Sequence, residues 1–269
     1  SAKNISYQFS DYSKNFSSIL SKKRYDFIFI IGDRIESLAL ATASIPFKIP
    51  IMHFHGGEIS EGSYDNVNRH AISKISHLHC VANQVFKKRL IQMGEESWRI
   101  NVVEAPGIEF LKYSKKLTFD ELCKKYKLNK NKKIIMFNFN SESLGTSNSK
   151  KNILNIIKIL KEKKNYNIVL TNTNYDLGSD YLNNQFKKSV KKCSHFKLIK
   201  SLGNDFPSLL YHSDIVIGNS SSGIIESCTF RIPTINIGNR QKGRLQSKNV
   251  INTNYSIKNI ETAINQAES

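Results

Sequence analysis

Short apolar runs alternate with helical patterns along most of this chain, and this alternation limits the folds that it can adopt. The run Phe27–Ile31 is uninterrupted, as strands buried on both faces of a parallel sheet are. Helices separate it from further apolar runs, which lie at 49–55, 78–82, 100–103, 134–139, 167–170, 196–199, 214–217 and 233–237. Strands and helices that take turns in this way predict an α/β fold with two parallel sheets.

The length of 269 residues is sufficient for one large or two medium α/β domains. The lysine-rich stretch Lys112–Lys132, which includes a predicted helix at Phe119–Tyr126, is the predicted linker. We therefore expect a first domain over residues 1–112 and a second over residues 113–269. Two such domains would face each other across a cleft at the carboxyl ends of their strands, where open α/β sheets bind ligands.

The formal net charge of +18 would suit a protein that binds nucleic acid. Only eight of the 40 basic residues are arginine, the residue best suited to bidentate contacts with phosphates and bases, and the lysines are spread out. We therefore interpret the charge as a property of the solvated surface and expect no nucleic-acid partner. Half of the arginines lie in motif-like stretches and are candidates for binding: Arg34, Arg69, Arg240 and Arg244.

The four cysteines occur singly, without C-x-x-C spacing, which fits a reducing cytoplasm. The sequence has no apolar run long enough to span a membrane and no leader with a cleavage site. The sequence therefore predicts a cytoplasmic protein without a membrane partner.

Five of the seven histidines lie between His53 and His79, so a metal site is one interpretation. His53 and His55 are predicted to share one face of the strand at 49–55, and a His-x-His pair can chelate. Neither a carboxylate nor a third histidine follows at a clear ligand spacing, and we expect no metal.

The stretch Ser213–Arg244 carries the clearest candidate ligand site. A predicted strand ends at Gly218, and a serine-rich turn leads into a predicted helix at Ile224–Cys228. Free backbone N–H groups at a helix start suit a phosphate, and Glu226 can accept hydrogen bonds from sugar hydroxyls. A nucleotide diphosphate would use both features. Alternatively, the serines only cap the helix and Glu226 faces water.

Polar residues also follow the predicted strands of the first half. Arg34 and His55 come at the ends of two strands, as Arg240 does in the second half, so all three would reach the cleft. The next helix, predicted at Asp65–Ile75, should bury Val67, Ala71, Ile75 and Leu78. Asp65 is expected to be its N-cap and to pair with Arg69 one turn later.

Five motifs together resemble one enzyme family. They are GDR at Gly32–Arg34, HFHGGE at His53–Glu58, D-x-x-x-R-H-A-I-S-K at Asp65–Lys74, IGNSSSGIIE at Ile217–Glu226 and INIGNRQKGR at Ile235–Arg244. The combination resembles the hydrolysing branch of the UDP-N-acetylglucosamine 2-epimerases, which feeds sialic-acid and related nonulosonic-acid synthesis. The resemblance runs from about Tyr25 to Ile264 and implies two Rossmann-like domains in the GT-B arrangement.

The resemblance implies hydrolysis of UDP-N-acetylglucosamine, or of a related nucleotide sugar, without a cofactor. UDP and N-acetylmannosamine, or a related sugar, would be released through a glycal intermediate. Asp33 and Asp65 resemble the acid/base carboxylates of the family, and His53 and His55 its catalytic cleft positions. The residues that resemble its substrate-binding positions are Arg34, Arg69, Asn174, Ser220, Ser221, Glu226 and Arg240.

The chain also departs from the family pattern. It starts partway through the family's first domain, so that domain is expected to be incomplete. Asn140-Ser141 replaces an expected His-Pro pair, and Thr173-Asn174 replaces a Pro-Asn turn. The alternatives are therefore an inactive or partial nucleotide-sugar-binding fragment, or a GT-B glycosyltransferase. A homo-oligomer is left open.

Overall fold

The computed structural model describes residues 2–61, 63–140, 149–173 and 179–269. Two compact units divide the chain: the first unit is Ser1–Pro106 and the second unit is Gly107–Ser269. Each unit is built around its own parallel sheet, as the alternating pattern predicts. An α/β fold with two parallel sheets is thereby confirmed.

Within its described residues, the first unit has a four-stranded sheet with the order β1-β2-β3-β4. Its strands are β1 (Ile28–Ile31), β2 (Ile51–Phe54), β3 (Leu78–Val81) and β4 (Ile100–Val102). Its helices are α1 (Ala2–Leu20), α2 (Ile35–Ser44), α3 (Asp65–Ile75) and α4 (Gln84–Gln92). All three strand pairs are parallel, which places the carboxyl ends of the strands at one edge of the sheet.

The two faces of the first sheet differ in burial. Ile28, Ile30 and Ile51 point to the face that packs against α1, α2 and α3. Phe29 and Ile31 point the other way and are 63% and 62% exposed. The prediction that the first strand is buried on both faces is therefore wrong. It is an edge strand, and the described helices that pack on it cover one face.

The second unit has, in the part of it that the structure describes, a six-stranded parallel sheet with the order β10-β9-β8-β5-β6-β7. Its strands are β5 (Lys133–Asn138), β6 (Tyr166–Thr171), β7 (Phe196–Ile199), β8 (Ile215–Gly218), β9 (Thr234–Ile237) and β10 (Val250–Thr253). Its helices are α5 (Pro106–Tyr113), α6 (Phe119–Tyr126), α7 (Ser149–Glu162), α8 (Ser179–Lys192), α9 (Phe206–Tyr211), α10 (Ser222–Ile225) and α11 (Ile257–Glu268).

Apolar clusters cover both faces of the second sheet. Ile135 and Phe137 pack on one side with residues of α7, α8 and α11, whereas Ile134 and Met136 pack on the other with residues of α5, α6 and α9. Successive side chains of a strand point to opposite faces, so an apolar run such as that of β5 supplies both cores. The sheet is therefore covered by helices on both sides.

The stretch that was predicted as a linker is part of the second unit. Leu111 on α5 and Leu122 and Cys123 on α6 are buried against the sheet. A capping box, in which Thr118 and Glu121 bind each other's backbone N–H groups, starts α6. The linker prediction is wrong because Leu122, Cys123 and Leu128, which lie between the lysines, are buried in the core of the second unit.

Gly218 provides a test of how closely β8 approaches β5. Its φ is +153°, and a Cβ atom there would lie 1.9 Å from the backbone oxygen of Asn138. We expect Gly218→Ala to lower the free energy of unfolding by more than about 3 kcal/mol, because the backbone is strained and the strands must separate.

Gly203→Ala is the matched control, because Gly203 has φ +47° and no atom lies within 4 Å of its Cβ position. It should cost only about 1–2 kcal/mol, from the left-handed backbone alone. Urea unfolding followed by circular dichroism would measure both losses, and equal losses would contradict the close approach.

Candidate active site

Asp33 and Arg69 form an ion pair at the carboxyl edge of the first sheet. Asp33 follows β1, and its side chain is 21% exposed, whereas the Arg69 side chain on α3 is 1% exposed. Arg69 also donates to the backbone oxygen of Glu58 at 3.0 Å and to Ser60 Oγ at 3.1 Å. The Asp33 carboxylate is thus held in one orientation by a buried cation and still reaches solvent.

Arg69 was predicted to pair with Asp65 and to contact substrate, but its described contacts are different. Its guanidinium is buried among Asp33, Glu58 and Ser60. A buried guanidinium needs such partners, because an unpaired charge inside a protein is costly. This geometry favours a role for Arg69 in orienting Asp33.

Two hydrogen bonds enclose the buried ring of His53. Its Nε2 lies 2.8 Å from the backbone oxygen of Gly32, and its Nδ1 lies 3.1 Å from Ser73 Oγ. A carbonyl only accepts, so the neutral ring carries its proton on Nε2, and its unprotonated Nδ1 faces Ser73 Oγ, which also lies 3.0 Å from the backbone oxygen of Arg69. Burial lowers the pKa of His53 from 6.5 to about 4. His53 therefore holds the backbone immediately before Asp33.

His55 has a different neighbour from His53. Strand β2 ends at Phe54, and His55 has a left-handed φ of +67°, which ends the strand's alternation of faces. Its Nδ1 lies 2.8 Å from Oε1 of Glu58, a carboxylate that is itself buried. The prediction that His53 and His55 share a face of one strand is therefore wrong: only His53 lies in the sheet.

The glycines of the HFHGGE motif allow this loop to pack tightly. A Cβ atom at Gly56 would lie 3.0 Å from Ser73 Oγ and 3.2 Å from His53 Nδ1. At Gly57, where φ is +76°, it would lie 2.5 Å from the backbone oxygen of Phe86. Any side chain at either position would displace the groups that hold His53 or α4.

Asp65 is the first residue of α3, one position after the cap residue Tyr64, so the N-cap prediction is off by one. Ser63 Oγ donates to Asp65 Oδ2 at 2.8 Å, and the Asp65 side chain is partly exposed.

Arg34 occupies the N-cap position of α2. Its side chain is 46% exposed and pairs with Glu36. Asp33, Asp65 and Arg34 are thus accessible, and His53 and Arg69 are not.

The buried face of α3 differs from the predicted apolar stripe. Val67 is 68% exposed, whereas Arg69, Ile72 and Ser73 are buried. The buried face is largely polar because Arg69 and Ser73 bind the groups around Asp33 and His53. The predicted stripe is therefore wrong at Val67 but correct at Ile75, which packs against the core of the first unit.

The serine turn of the second unit is compact. Ser220 Oγ lies 3.0 Å from Ser222 Oγ, and Ser220 and Ser221 are partly exposed. The predicted helix is a four-residue α10 followed by a 3-10 turn at Ser227–Phe230. Since a short helix has a weak dipole, hydroxyl and backbone N–H groups of the turn are the features available to a ligand.

Glu226, Arg240 and Asn174 are the remaining predicted residues. Glu226 ends α10, and a Cβ atom at Gly107 would lie 3.0 Å from its Oε1, so a glycine there leaves room for the carboxylate. Arg240 is almost buried and donates to the backbone oxygen of Asn219 at 3.3 Å. Asn174 lies outside the described residues.

Neither a metal centre nor a membrane-spanning helix is found among the described residues. They contain no group of three or more histidine, cysteine and acidic residues that could hold a metal ion. None of the described helices is long and apolar enough to cross a membrane.

The low pKa of His53 generates a prediction about stability. The unfolded chain binds a proton at this histidine below about pH 6.5, and the folded protein binds it only below about pH 4. Stability is therefore lost as the pH falls through this window, by about 2 kcal/mol between pH 7.5 and pH 5 from His53 alone.

His53→Gln retains a donor and an acceptor but does not titrate. We expect its free energy of unfolding, measured with urea, to fall less between pH 7.5 and pH 5 than that of the wild type. The other histidines are common to both proteins and cancel in the comparison. An equal loss in the two proteins would show that His53 is not buried in the neutral form.

The chain is similar in sequence to known proteins of one family. A family model described as UDP-N-acetylglucosamine 2-epimerase matches residues 1–269. The chain is 35% identical over 269 residues to a Campylobacter jejuni protein named GDP/UDP-N,N'-diacetylbacillosamine 2-epimerase (hydrolyzing), covering 99% of this chain and 68% of the relative. It is 34% identical over 244 residues to a Neisseria meningitidis UDP-N-acetylglucosamine 2-epimerase, covering 90% of this chain and 63% of the relative.

Solved structures show the same fold. The Neisseria meningitidis UDP-GlcNAc 2-epimerase bound to UDP-GlcNAc has a TM-score of 0.76 at 16% identity, covering 97% of this chain and 73% of that one. The Methanocaldococcus jannaschii enzyme in complex with UDP-GlcNAc and UDP has a TM-score of 0.76 at 17% identity, covering 97% and 74%. Because the family model matches residues 1–269 of this chain, the chain belongs to the UDP-N-acetylglucosamine 2-epimerase family.

Proposed function

We propose that this chain carries the activity of a hydrolysing 2-epimerase that acts on a UDP-linked 2-acetamido sugar. The observation that carries the proposal is the accessible Asp33 carboxylate, oriented by buried Arg69, in a chain whose named relatives include hydrolysing 2-epimerases. The relatives described above are longer than this chain, which spans 68% of the Campylobacter jejuni protein and 63% of the Neisseria meningitidis protein.

The proposed reaction has two steps. In the first step, the bond between sugar carbon 1 and UDP breaks and carbon 2 loses its proton, which leaves a glycal. In the second step, water supplies a hydroxyl group to carbon 1, and carbon 2 takes a proton on the opposite face. The products are UDP and a free sugar with inverted configuration at carbon 2.

Such a path needs one group that removes a proton and one that returns it on the other face. Asp33 and Asp65 are the proposed pair, because both are carboxylates that reach solvent from the first unit. His55, which is oriented by Glu58, is a third group that can exchange protons. We assign His53 and Arg69 to positioning, because both are buried and contact the backbone or side chain at 32–33.

The second unit is proposed to bind the nucleotide. Ser220 and Ser221 would donate to the diphosphate, Glu226 would accept from the ribose hydroxyls, and Arg240 would balance the phosphate charge. Arg34 and Asn174 complete the proposed set on the basis of the family motifs. We place the reaction in the cytoplasm, in keeping with four cysteines that are all free thiols.

Two sugars are candidates for the UDP-linked part of the substrate. Relatives at similar identity are named for N,N'-diacetylbacillosamine and for N-acetylglucosamine, which differ in their substituents away from carbons 1 and 2. Both UDP sugars should be assayed. Neither a glycosyltransferase nor a non-catalytic binder is favoured by the relatives named above, because all of them are 2-epimerases.

Turnover tests the catalytic assignment. We expect the purified protein to release UDP from at least one of the two substrates, and the free sugar formed in D2O to carry deuterium at carbon 2. Asp33→Asn should lower kcat at least about a hundredfold, as the loss of a general acid or base does. Asp120→Asn, at a carboxylate that is 72% exposed, is the control and should leave kcat unchanged.

Calorimetry tests the nucleotide assignment. Glu226→Ala should weaken UDP binding by about 1–3 kcal/mol, because ribose hydroxyls would lose a charged acceptor. Glu261→Ala, at an exposed position on α11, should leave the affinity unchanged. If Glu226→Ala binds UDP as the wild type does, Glu226 does not contact the nucleotide.

A further inference from the structure

Asn219 is fully buried at the carboxyl end of β8, and its side-chain amide binds one residue twice. Its Oδ1 accepts from the backbone N–H of Asn140 at 2.7 Å, and its Nδ2 donates to the backbone oxygen of Asn140 at 2.8 Å. Both backbone groups of a residue outside regular structure are thus satisfied by one side chain. The amide therefore fixes the chain just after β5.

The backbone of Asn219 makes the connection to a third strand. Its carbonyl accepts from Arg240 Nη1 at 3.3 Å and from Gln241 Nε2 at 2.9 Å, and both donors lie in the loop after β9. Its N–H donates to the backbone oxygen of Asn138 at 3.2 Å. One residue thereby links the ends of β5, β8 and β9 at the edge where parallel sheets bind ligands.

The three linked segments carry groups that the proposed nucleotide site uses. Ser220 and Ser221 follow Asn219 directly, Arg240 donates to it, and Asn140 stands where the family pattern has a possible cation. A site whose parts are already fixed avoids the entropy cost of ordering them when the ligand binds. Gly218 permits the arrangement, since any Cβ there would meet Asn138.

We propose that Asn219 is a positioning residue for the nucleotide diphosphate: it holds the loop after β5 and Arg240 in the arrangement that binds the ligand. This inference rests on the proposed function. Asn219 acts through its neighbours, because its side chain is fully buried and its amide is directed at the backbone of Asn140. Its loss should therefore weaken nucleotide binding by disordering the site.

Asn167 provides a matched control within the same sheet. It is also buried, on β6, and its amide accepts from the backbone N–H of Asn129 at 2.9 Å and donates to the backbone oxygen of Asn129 at 2.9 Å. Asn167 lies near the start of its strand, at the opposite edge from Asn219. The two asparagines make the same kind of contact, so their effects on stability should be similar.

The experiment compares Asn219→Ala with Asn167→Ala in thermal unfolding and in UDP calorimetry. We expect both variants to lower Tm, and only Asn219→Ala to raise the Kd for UDP, by at least about tenfold. An unchanged Kd for Asn219→Ala, or an equal rise in both variants, would overturn the inference and show that Asn219 only supports the fold. If the wild type itself fails to bind UDP, the proposed function fails and the inference fails with it.

If Asn219→Ala does not fold, Asn219→Asp is a second variant that tests the same hypothesis. Its carboxylate can accept from the N–H of Asn140 but would repel the oxygen of Asn140, whereas the protonated carboxyl group can donate to that oxygen. Relative to the wild type at the same pH, UDP affinity should be reduced at pH 7.5 and should recover towards pH 5. A pH-independent deficit, or no deficit at all, would contradict the role of this hydrogen bond.

Discussion

The buried guanidinium of Arg69 is the constraint around which the first unit's site is arranged. An arginine without water must be surrounded by acceptors, because leaving it unpaired costs several kcal/mol. Those acceptors come from three separate segments, namely Asp33 after β1, Glu58 in the glycine-rich loop and Ser60 beyond it. Satisfying the charge of one side chain therefore brings these segments together at one end of the sheet.

Buried polar groups of this kind support accessible ones in both units. In the first unit, His53 and Arg69 hold the segment of Asp33, which remains partly exposed. In the second unit, Asn219 holds Asn140 and Arg240 beside the partly exposed Ser220. Each of these buried groups makes at least two hydrogen bonds to neighbouring backbone or side-chain groups, which restricts its orientation. Rigid support of this sort is what a reaction with exact proton placement requires.

Much of the fold was predictable from the sequence because strand and helix patterns differ in period. The predicted bounds of α3, α6 and β7 agree with the structure, and those of the other predicted strands differ by one or two residues. Strand β10 and helix α5 were missed. The short run Val250–Thr253 has only two apolar residues, and α5 begins with a Pro-Gly pair that usually marks a turn.

The sequence selected candidate site residues but did not indicate which of them are buried. Motifs and strand ends selected Asp33, His53 and Arg69, yet residue type alone does not say which of them is buried. That difference depends on contacts between residues 36 positions apart in the chain, as in the pair of Arg69 and Asp33. Asn219 was passed over for the same reason, since an asparagine before a serine turn is ordinary in sequence.

One face of β1 carries two large apolar side chains that the described residues leave exposed. They are Phe29 and Ile31, at 63% and 62% exposure, and exposed apolar side chains of this kind favour association with another apolar surface. The net charge of +18 opposes that association by mutual repulsion. This repulsion is screened over about 8 Å at physiological ionic strength. Added salt should therefore weaken the repulsion between the lysine-rich surfaces and strengthen association through the exposed face of β1.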